Sequence, residues 1–403
     1  VMRLKPSALA VVFGLVVLTG CNESTKSSAG DDYDDGTAPV TDFNELALVT
    51  NIADNIVTPL FTEFAEISKV QHQQISAYCD TVKAEGSVDD ALSQAKLSWR
   101  GNAVVWQQIE MMQLEPLLAN EGKLRNDIYS WPEVYACGVD FDTMYFKADD
   151  FNGAPYDITA RRANRKGLYA LEYLLFNESS EHSCGVETPP NWHDFTPAEI
   201  TIARCEFATE VAQDLTNNAD KLVADWSGEN GFIHQLKNAG TEQSSVESMH
   251  AAVNLLSDAM FYLDKFSKDG KLAAPLGLVA NSCGAQACPE DVESDYAHHS
   301  IENLIENLNG FDKFFTGEAG LGFVDYLNFV GDTDTAEAMA SAITTAIVQL
   351  EAYEASLAET LVADEAMVTQ SHENVKAITD KLKVDFINSL SLELPTTSAG
   401  DND

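Results

Sequence analysis

Tyr169 and Glu172 are the residues whose types and spacing most suggest chemistry. They lie in the stretch RKGLYALEYLLFN, Arg165 to Asn177, whose apolar run predicts a buried helix. Residues three apart share a helix face, so the phenol and the carboxylate project together. A carboxylate suits zinc or iron, and a ferric ion can stabilise a phenolate, although tyrosine titrates only near pH ~10. The alternative is that Tyr169 packs in the core with its hydroxyl bonded to a polar neighbour such as Glu172.

A second candidate set is Trp99, Trp106 and Glu110, which are spaced at i, i+7 and i+11 and therefore share one helix face. Helical bundles hold iron between carboxylates that project inward from neighbouring helices. A Glu110 that faces Glu172 across two helices would form such a site. The alternative is two core tryptophans with a glutamate at the edge of the core.

Composition and missing motifs exclude several classes of function. The chain carries 64 acidic and 24 basic residues, a formal net charge of −40, which repels nucleic acid and anionic lipid. His-Glu-x-x-His, Gly-x-Ser-x-Gly, phosphate-loop and dinucleotide-binding signatures are all missing from the sequence. Zinc hydrolysis of the His-Glu-x-x-His kind is therefore not supported.

The elements that must position these residues are long amphipathic helices, because apolar residues recur at helical spacing and convincing alternating strands are missing. We expect an all-α fold of two helical-bundle lobes, 42–230 and 231–393, divided near the glycines at 228–240. The predicted helices are Phe43–Leu60, Ser87–Leu117, Thr159–Phe176, Thr196–Trp226, Glu242–Lys268, Asp295–Phe315, Phe323–Val330, Thr335–Leu361 and Glu365–Leu390.

The N-terminal segment predicts export and lipid anchoring. Residues 1–20 combine two early positive charges with a short apolar run and have the proportions of a signal peptide. Leu18-Thr19-Gly20 before Cys21 resembles a bacterial lipoprotein box, in which Cys21 is acylated, and Asn22 favours the outer membrane, with the chain facing the periplasm or the exterior. Residues 21–41 are predicted to be a flexible acidic tether and 394–403 a disordered tail.

Six further cysteines indicate up to three disulfides, as expected in an oxidising compartment. Cys283 and Cys288 are the best pair, because the loop between them is short and contains glycine. Cys184 with Cys205 and Cys79 with Cys137 are the pairings we then suggest, among several possible connectivities. Thiolate metal ligands are the alternative, disfavoured because no Cys-x-x-Cys pair is present.

Four stretches in order resemble the imelysin family of bacterial surface proteins. LSWRGNAVVWQQIEMMQLEPLL (97–118) resembles the family's Trp/Trp/Glu helix, except that Glu115 replaces the glycine of its terminal Gly-Pro. YSWPEV (129–134) resembles its Trp-Pro turn. GLYALE (167–172) lies at its Gly-x-His-x-x-Glu motif, with Tyr169 at the histidine position. KLAAPLGL (271–278) and ESDYAHHSIENLIENLNGFDKFFTG (293–317) resemble its second-lobe signature.

The resemblance implies two helical lobes with a site between them, an association with iron uptake, and a metallopeptidase label that Tyr169 weakens. The residues it places at the motifs and the cleft are Gly167, Trp99, Trp106, Trp131, Pro132, Glu293, Ser300 and Asn307, with Glu172, Glu110 and Tyr169 as candidate metal ligands.

These observations together predict a lipid-anchored protein that binds iron, or an iron-bearing ligand, between its lobes, beside other iron-uptake proteins at the surface. No catalytic residues are assigned. The alternatives are a surface metallopeptidase of the imelysin type and a metal-free adaptor for a partner protein. Iron is the cofactor that these observations favour, with another divalent metal as the alternative.

Overall fold

The computed structural model describes residues 27–28 and 42–395. The predicted signal segment 1–20, the acylation site Cys21, the tether apart from Ser27–Ser28, and the tail from residue 396 lie outside the described residues. Within the described part, no helix is both long and apolar enough to cross a bilayer.

The described residues are predominantly helical, which confirms the all-α prediction. The α-helices are α1 (Glu45–Asn51), α2 (Thr58–Lys83), α3 (Asp89–Glu110), α4 (Glu115–Ile128), α5 (Ala136–Ala148), α6 (Gly167–Phe176), α7 (Pro197–Ser227), α8 (Phe232–Lys237), α9 (Met249–Met260), α10 (Ala274–Leu276), α11 (Ser300–Thr316), α12 (Phe323–Val330), α13 (Thr333–Glu351), α14 (Leu357–Ala363), α15 (Glu365–Lys381) and α16 (Ile387–Leu390). Two-residue strands, β1 (Ser27–Ser28) and β2 (Leu394–Pro395), pair antiparallel.

Three π-helical segments interrupt or extend the α-helices: Ile52–Val57 joins α1 to α2, Leu263–Ala273 joins the end of α9 to α10, and Leu382–Phe386 joins α15 to α16. Single 3₁₀ turns occupy Ile158–Ala160, Ala163–Arg165, Trp192–Asp194 and Pro289–Asp291. An extra residue per turn rotates the side chains that follow, so π segments commonly redirect residues at functional sites.

Helices α2 to α7 pack on one another, with α2 lying along both α3 and α7. Among the later helices, α15 packs on α13 and on the π segment Leu263–Ala273, and α11 packs on α13. The strongest contact between the two groups is that of α11 with α3. Helix α1 contacts α9, so the N-terminal helix packs on the later group. The lobe boundary near residue 230 stays a prediction.

Several helix boundaries differ from those predicted. The helix expected over 87–117 ends at Glu110, and α4 starts at Glu115 after a non-helical link. Helix α4 is itself broken at Ala119–Gly122, where three residues have positive φ. The predicted start of α7 is confirmed: Thr196 and Glu199 form a reciprocal capping box, with Pro197 at the first helical position.

All six predicted cysteines form disulfides, but two of the pairings were wrong. The structure confirms Cys283–Cys288 and joins Cys79 to Cys205 and Cys137 to Cys184. Cys79 lies on α2 and Cys205 on α7, which pack side by side, so the bond joins neighbours in space across 126 residues of sequence. Sequence proximity therefore misled the pairing.

Candidate functional site

A cluster of five buried polar side chains forms where α3 meets α11; we call it the Lys271 cluster. Its members are Gln107 and Glu110 near the end of α3, Lys271 on the π segment, Glu293 in the loop before α11, and Asn307 on α11. Each is at most 6% exposed. Such groups are costly to bury unless they are paired with one another.

Lys271 is the centre of this cluster. Its Nζ lies 2.5 Å from Gln107 Oε1, 2.6 Å from Glu110 Oε2 and 2.8 Å from Asn307 Oδ1. It also lies 3.2 Å from Glu293 Oε1. Four oxygens of four residues therefore surround one ammonium group: three accept its hydrogen bonds and the fourth, from Glu293, forms an ion pair with it.

Amide groups complete the network. Asn307 Nδ2 donates to Glu110 Oε2 at 3.1 Å and to the backbone carbonyl of Gln107 at 2.8 Å. Gln107 Nε2 donates to Glu293 Oε1 at 3.2 Å, and the hydroxyl of Tyr129 donates to the same oxygen at 2.9 Å. Glu293 Oε2 is a buried atom without a hydrogen-bond partner among the described residues.

Close helix packing brings these side chains together. Gly310 on α11 faces the backbone of Gln108 on α3 so closely that a Cβ there would lie 2.6 Å from the Gln108 carbonyl oxygen. Lys271 reaches inward from the π segment, and Ser267, one turn earlier, donates to Asn307 Oδ1 at 3.1 Å. The close approach of α3 and α11 is what allows these short side chains to meet the lysine.

Burial raises the pKa of two acidic groups at this cluster, the Glu110 carboxyl and the Tyr129 hydroxyl. Burial raises the pKa of Glu110, Lys271 lowers it by less, and Glu293 raises it further. Burial, and after it the neighbouring Glu293, raises the pKa of Tyr129 well above its usual value, so its hydroxyl stays protonated and donates. The cluster therefore contains one ammonium for two carboxyl groups.

Glu172 lies on α6 and interacts electrostatically with Glu293 of the Lys271 cluster. Its Oε1 accepts a hydrogen bond from the backbone N–H of Ala297 at 3.0 Å, which links α6 to the loop before α11. Burial raises its pKa to about 8, although the bond from Ala297 opposes the rise. Glu172 is thus largely a neutral carboxylic acid at pH 7.

Tyr169 is a poor source of a phenolate in this fold. It is buried, and burial, with Tyr296 and Glu172 adding smaller effects, raises its pKa above the usual value of 10. A phenolate ligand must lose its proton, so this environment opposes metal binding by Tyr169. Tyr169 interacts electrostatically with Glu172, as expected if the two side chains project from the same face of α6.

An open cleft of about 680 Å³ reaches the Lys271 cluster from the surface. Its wall combines aromatic rings with charged groups of both signs, and Glu110 and Tyr129 form part of its inner end. The lining residues are Glu110, Glu121, Arg125, Asn126, Tyr129, Ser130, Trp131, Pro132, Glu133, Arg162, Ala163, Asn164, Tyr262, Lys265, Phe266 and Gly270.

Aromatic rings form one side of this cleft. The rings of Tyr262 and Phe266 stack with centroids 4.8 Å apart, and Trp131 lies with its ring centroid 5.8 Å from Lys271 Nζ. Arg125 donates to the hydroxyl of Tyr262. The cleft thus offers flat apolar surfaces next to cations, a combination that suits a planar or anionic small ligand.

Trp99, Trp106 and Gly167, which the sequence analysis also singled out, contribute to packing and lie outside the Lys271 cluster. Trp99 and Trp106 are buried: Trp99 Nε1 donates to the Leu168 carbonyl at 2.9 Å, and Trp106 packs on Phe64 with ring centroids 5.3 Å apart. Gly167 has φ +68° and abuts the end of α4, where a Cβ would lie 2.3 Å from the Ile128 carbonyl oxygen.

The Trp-Pro turn and the second-lobe residues lie nearer to the candidate site. Trp131 and Pro132 line the cleft and are joined by a cis peptide bond. Ser300 donates to the backbone carbonyl of Glu293 and so holds the loop that carries this carboxylate. Asn307 is a member of the Lys271 cluster itself. The structure thus brings Glu110, Glu293 and Asn307 together.

Sequence reasoning missed Lys271, Gln107 and Tyr129. Lys271 was visible only as the first residue of the KLAAPLGL stretch, just past the predicted helix Glu242–Lys268, and Gln107 as a polar residue one turn before Glu110 on the same face. Tyr129 had no signal beyond its place in the Trp-Pro stretch. Neither a fixed spacing nor a motif joins these positions.

The donor set does not fit a bare metal ion as it is arranged. Glu110 and Glu293 both bond Lys271, whose Nζ occupies the point between them. Within the described residues, three His, Cys, Asp or Glu ligand atoms within 4.8 Å of one another occur only at Cys283, Cys288 and Glu290. Those two cysteines are joined in a disulfide. Metal ligation by Glu110, Glu172 and Tyr169 stays a prediction.

The fold and the site define a class: an all-helical protein with a polar site buried between two packed helices. The family model described as imelysin matches residues 59–384, most of the chain. The chain therefore belongs to the imelysin family, which confirms the resemblance seen in the sequence. Among curated proteins, none matches the chain significantly.

Two solved structures share the fold. An imelysin-like protein from Psychrobacter arcticum has 17% identity and a TM-score of 0.65, over 87% of this chain and 96% of that one. A protein from Parabacteroides distasonis, named for iron-regulated protein A, has 17% identity and a TM-score of 0.67, over 89% of this chain and 97% of that one. At this identity the likeness shows the fold alone.

Proposed function

We propose that this chain is a binding protein of the bacterial cell envelope that captures an iron-bearing small ligand in the cleft beside the Lys271 cluster. The observation that carries the proposal is the cleft itself, an open volume of about 680 Å³ that ends at a buried cluster of polar side chains. Ligand sites in proteins are typically concave, partly aromatic and supplied with a few fixed polar groups.

The cleft favours an iron chelate over a bare ion. Iron that arrives with its own organic donors needs no protein ligands, whereas Glu110, which lines the cleft, and Glu293 of the same cluster are engaged with Lys271. Ferric chelates of carboxylates and catechols are anionic and haemin is flat. The wall offers Arg125, Arg162 and Lys265 to such ligands, interspersed with Glu110, Glu121 and Glu133 and with aromatic rings. The iron itself is suggested by the family and by the name of the Parabacteroides relative.

The location that we propose is the outer membrane, to which acylated Cys21 would tether the helical part. A short polar segment between anchor and fold would let the cleft meet ligand, or a neighbouring iron-uptake protein, at the membrane surface. Mass spectrometry of the mature N-terminus tests this anchor: acylated Cys21 is expected, and an unmodified residue elsewhere would contradict it.

A metallopeptidase activity is not what we propose. Metal-assisted hydrolysis needs a metal with an open coordination position, an activated water and a general base. Among the carboxylates that the sequence suggested, Glu110 and Glu293 are bonded to an ammonium group, and Glu172 is held largely protonated by burial. The cluster as arranged offers no base next to a ligand set.

Calorimetric titration of the full chain tests the proposal. The probes are ferric citrate, a ferric tris-catecholate and haemin, with zinc and ferrous sulfate as bare ions. We expect saturable binding of at least one ferric chelate, weakened about tenfold or more, roughly 1.4 kcal/mol, by Trp131→Ala. Phe329→Ala, an exposed aromatic on α12 outside the cleft, is the matched control and should bind as the wild type does.

Two results would contradict this function. One is that no ferric chelate of the panel binds the wild-type chain. The other is binding that Trp131→Ala and Phe329→Ala affect equally, which would place the ligand elsewhere on the molecule.

A further inference from the structure

We infer that the ammonium group of Lys271 is the resident cation of this site, and that the native cluster binds it in place of a metal ion. It lies between Glu110 and Glu293 at the point that a shared metal ion would have to occupy. The site is therefore a carboxylate–amide cage already filled by the chain's own cation.

The geometry distinguishes an ammonium from a metal. The four oxygens lie 2.5 to 3.2 Å from Nζ, and the amide oxygens of Gln107 and Asn307 complete the cage begun by the two carboxylates. Two carboxylates and two amide oxygens form the donor set of a hard cation such as calcium, magnesium or manganese. Metal–oxygen bonds of about 2.0 to 2.6 Å need the centre that Nζ now holds.

The balance of charge in the cluster also indicates that Lys271 takes the place of a metal ion. Glu110 and Glu293 are buried, and two uncompensated buried carboxylates would be strongly destabilising. Lys271 is the cation that contacts both, while Tyr129, Gln107 and Asn307 contribute neutral dipoles. A divalent ion added beside the ammonium would be repelled by it at short range. A metal ion can therefore bind between Glu110 and Glu293 only if the Lys271 side chain moves out of the cluster.

This inference is independent of the proposed cargo. An iron chelate in the cleft brings its own donors and requires no vacancy in the cage. If chelates fail to bind, the role of Lys271 stands; if a bare ion binds at Glu110, the role of Lys271 falls and an iron function can survive. The two proposals can fail separately.

Amine footprinting of the wild-type chain is the first test. Brief treatment with acetic anhydride labels lysines by accessibility, and mass spectrometry reads each position. We expect Lys271 to remain unlabelled, to the same extent with and without added Fe²⁺, Zn²⁺ or Mn²⁺. The inference is overturned if a stoichiometric ion binds, Lys271 labelling rises with it, and Glu110→Gln abolishes both effects.

Removal of the ammonium is the second test. Lys271→Ala should gain Mn²⁺ or Ca²⁺ affinity at least tenfold over the wild type, and a second substitution, Glu110→Gln, should remove the gain. Methylammonium, a substitute for the missing group, should raise the melting temperature of Lys271→Ala. The matched control is Lys268→Ala, which removes a buried lysine of the same segment that pairs with Asp264 and Asp269.

Each outcome of this second test supports or overturns the inference. Cation binding or methylammonium rescue in Lys271→Ala that Lys268→Ala lacks supports it. Equal responses in the two variants overturn it. If Lys271→Ala does not fold, the wild-type footprinting with its Glu110→Gln control decides whether Lys271 is the resident cation.

Discussion

Glu172 should make the stability of this protein fall as pH rises, and Glu172→Gln should remove that dependence. The side chain is 1% exposed, and burial raises its pKa from the usual 4.5 to about 8. A carboxyl group with a higher pKa in the folded than in the unfolded state binds more protons when folded. Its contribution is therefore fully present below about pH 4.5 and is lost as pH rises through about 8.

The size of the effect follows from the two pKa values. A folded-state pKa of about 8 against 4.5 corresponds to roughly 5 kcal/mol between the protonated and ionised forms, which is an upper limit because the structure can relax around the charge. Glutamine keeps the carbonyl that accepts from Ala297 and carries no charge. Relative to the wild type, the variant should gain up to that amount of stability between pH 5 and pH 9.

Urea unfolding followed by circular dichroism, with the disulfides intact, measures this difference at each pH. Glu199→Gln is a control of opposite sign, because hydrogen bonds from Thr196 lower the pKa of the exposed Glu199 carboxyl. The contribution of Glu199 is present above pH 4.5 and is lost as pH falls through its lowered pKa. A difference between Glu172→Gln and wild type that does not change with pH, or that grows more unfavourable as pH rises, would refute the reasoning.

Three further results are expected. Gly167→Ala should lower the free energy of unfolding in urea by about 2–3 kcal/mol or more, because the φ of +68° and the carbonyl oxygen 2.3 Å from a new Cβ both oppose a side chain. The control is Gly185→Ala, which has open space around the new Cβ and should lose little stability. The double variant Cys79→Ala/Cys205→Ala should lose about 4 kcal/mol, since that bond closes a long loop; a melting temperature equal to the wild type's would contradict this. Burial lowers the pKa of His250, but hydrogen bonds to Glu45 and to a backbone carbonyl outweigh burial and raise the pKa. His250→Gln should therefore cost more stability at pH 6 than at pH 9. An equal cost at the two pH values would refute this prediction.

The helical fold could be predicted because its signal is local. Apolar spacing marks most of the helices, and Thr196-Pro197-Ala198-Glu199 marks a helix start by its own hydrogen-bonding chemistry. Breaks were harder to predict: α3 ends at Glu110 although the apolar pattern continues, because Met111, Met112 and Leu114 of the non-helical link are also buried. Helix α5 gave too short and too mixed a pattern to be recognised.

The site was only partly predictable, because its residues are distant in sequence and meet only through the packing of the helices. Glu110, Glu293 and Asn307 were suggested through the family, but the residue that unites them, Lys271, lies 161 positions from Glu110 in sequence. A single lysine in an amphipathic helix usually lies at the surface with its ammonium in water. Only the packing of α11 on α3, together with the π segment, turns it inward. The disulfide partners Cys79 and Cys205 were missed for the same reason.

The Lys271 cluster also limits how this molecule can move. Its carboxyl and amide groups come from α3 on one side and from α11 and the loop before it on the other, and its ammonium group comes from the π segment. A hinge motion that separated α11 from α3 would therefore leave buried ionised groups without their partners. Breaking a buried pair of this kind costs about 3–5 kcal/mol, which limits such an opened state to less than about 1% of molecules. Exchange of ligand with the surroundings is therefore expected to proceed through rearrangement of the exposed rim, Pro132 and Glu133 among it, while the helices stay in register.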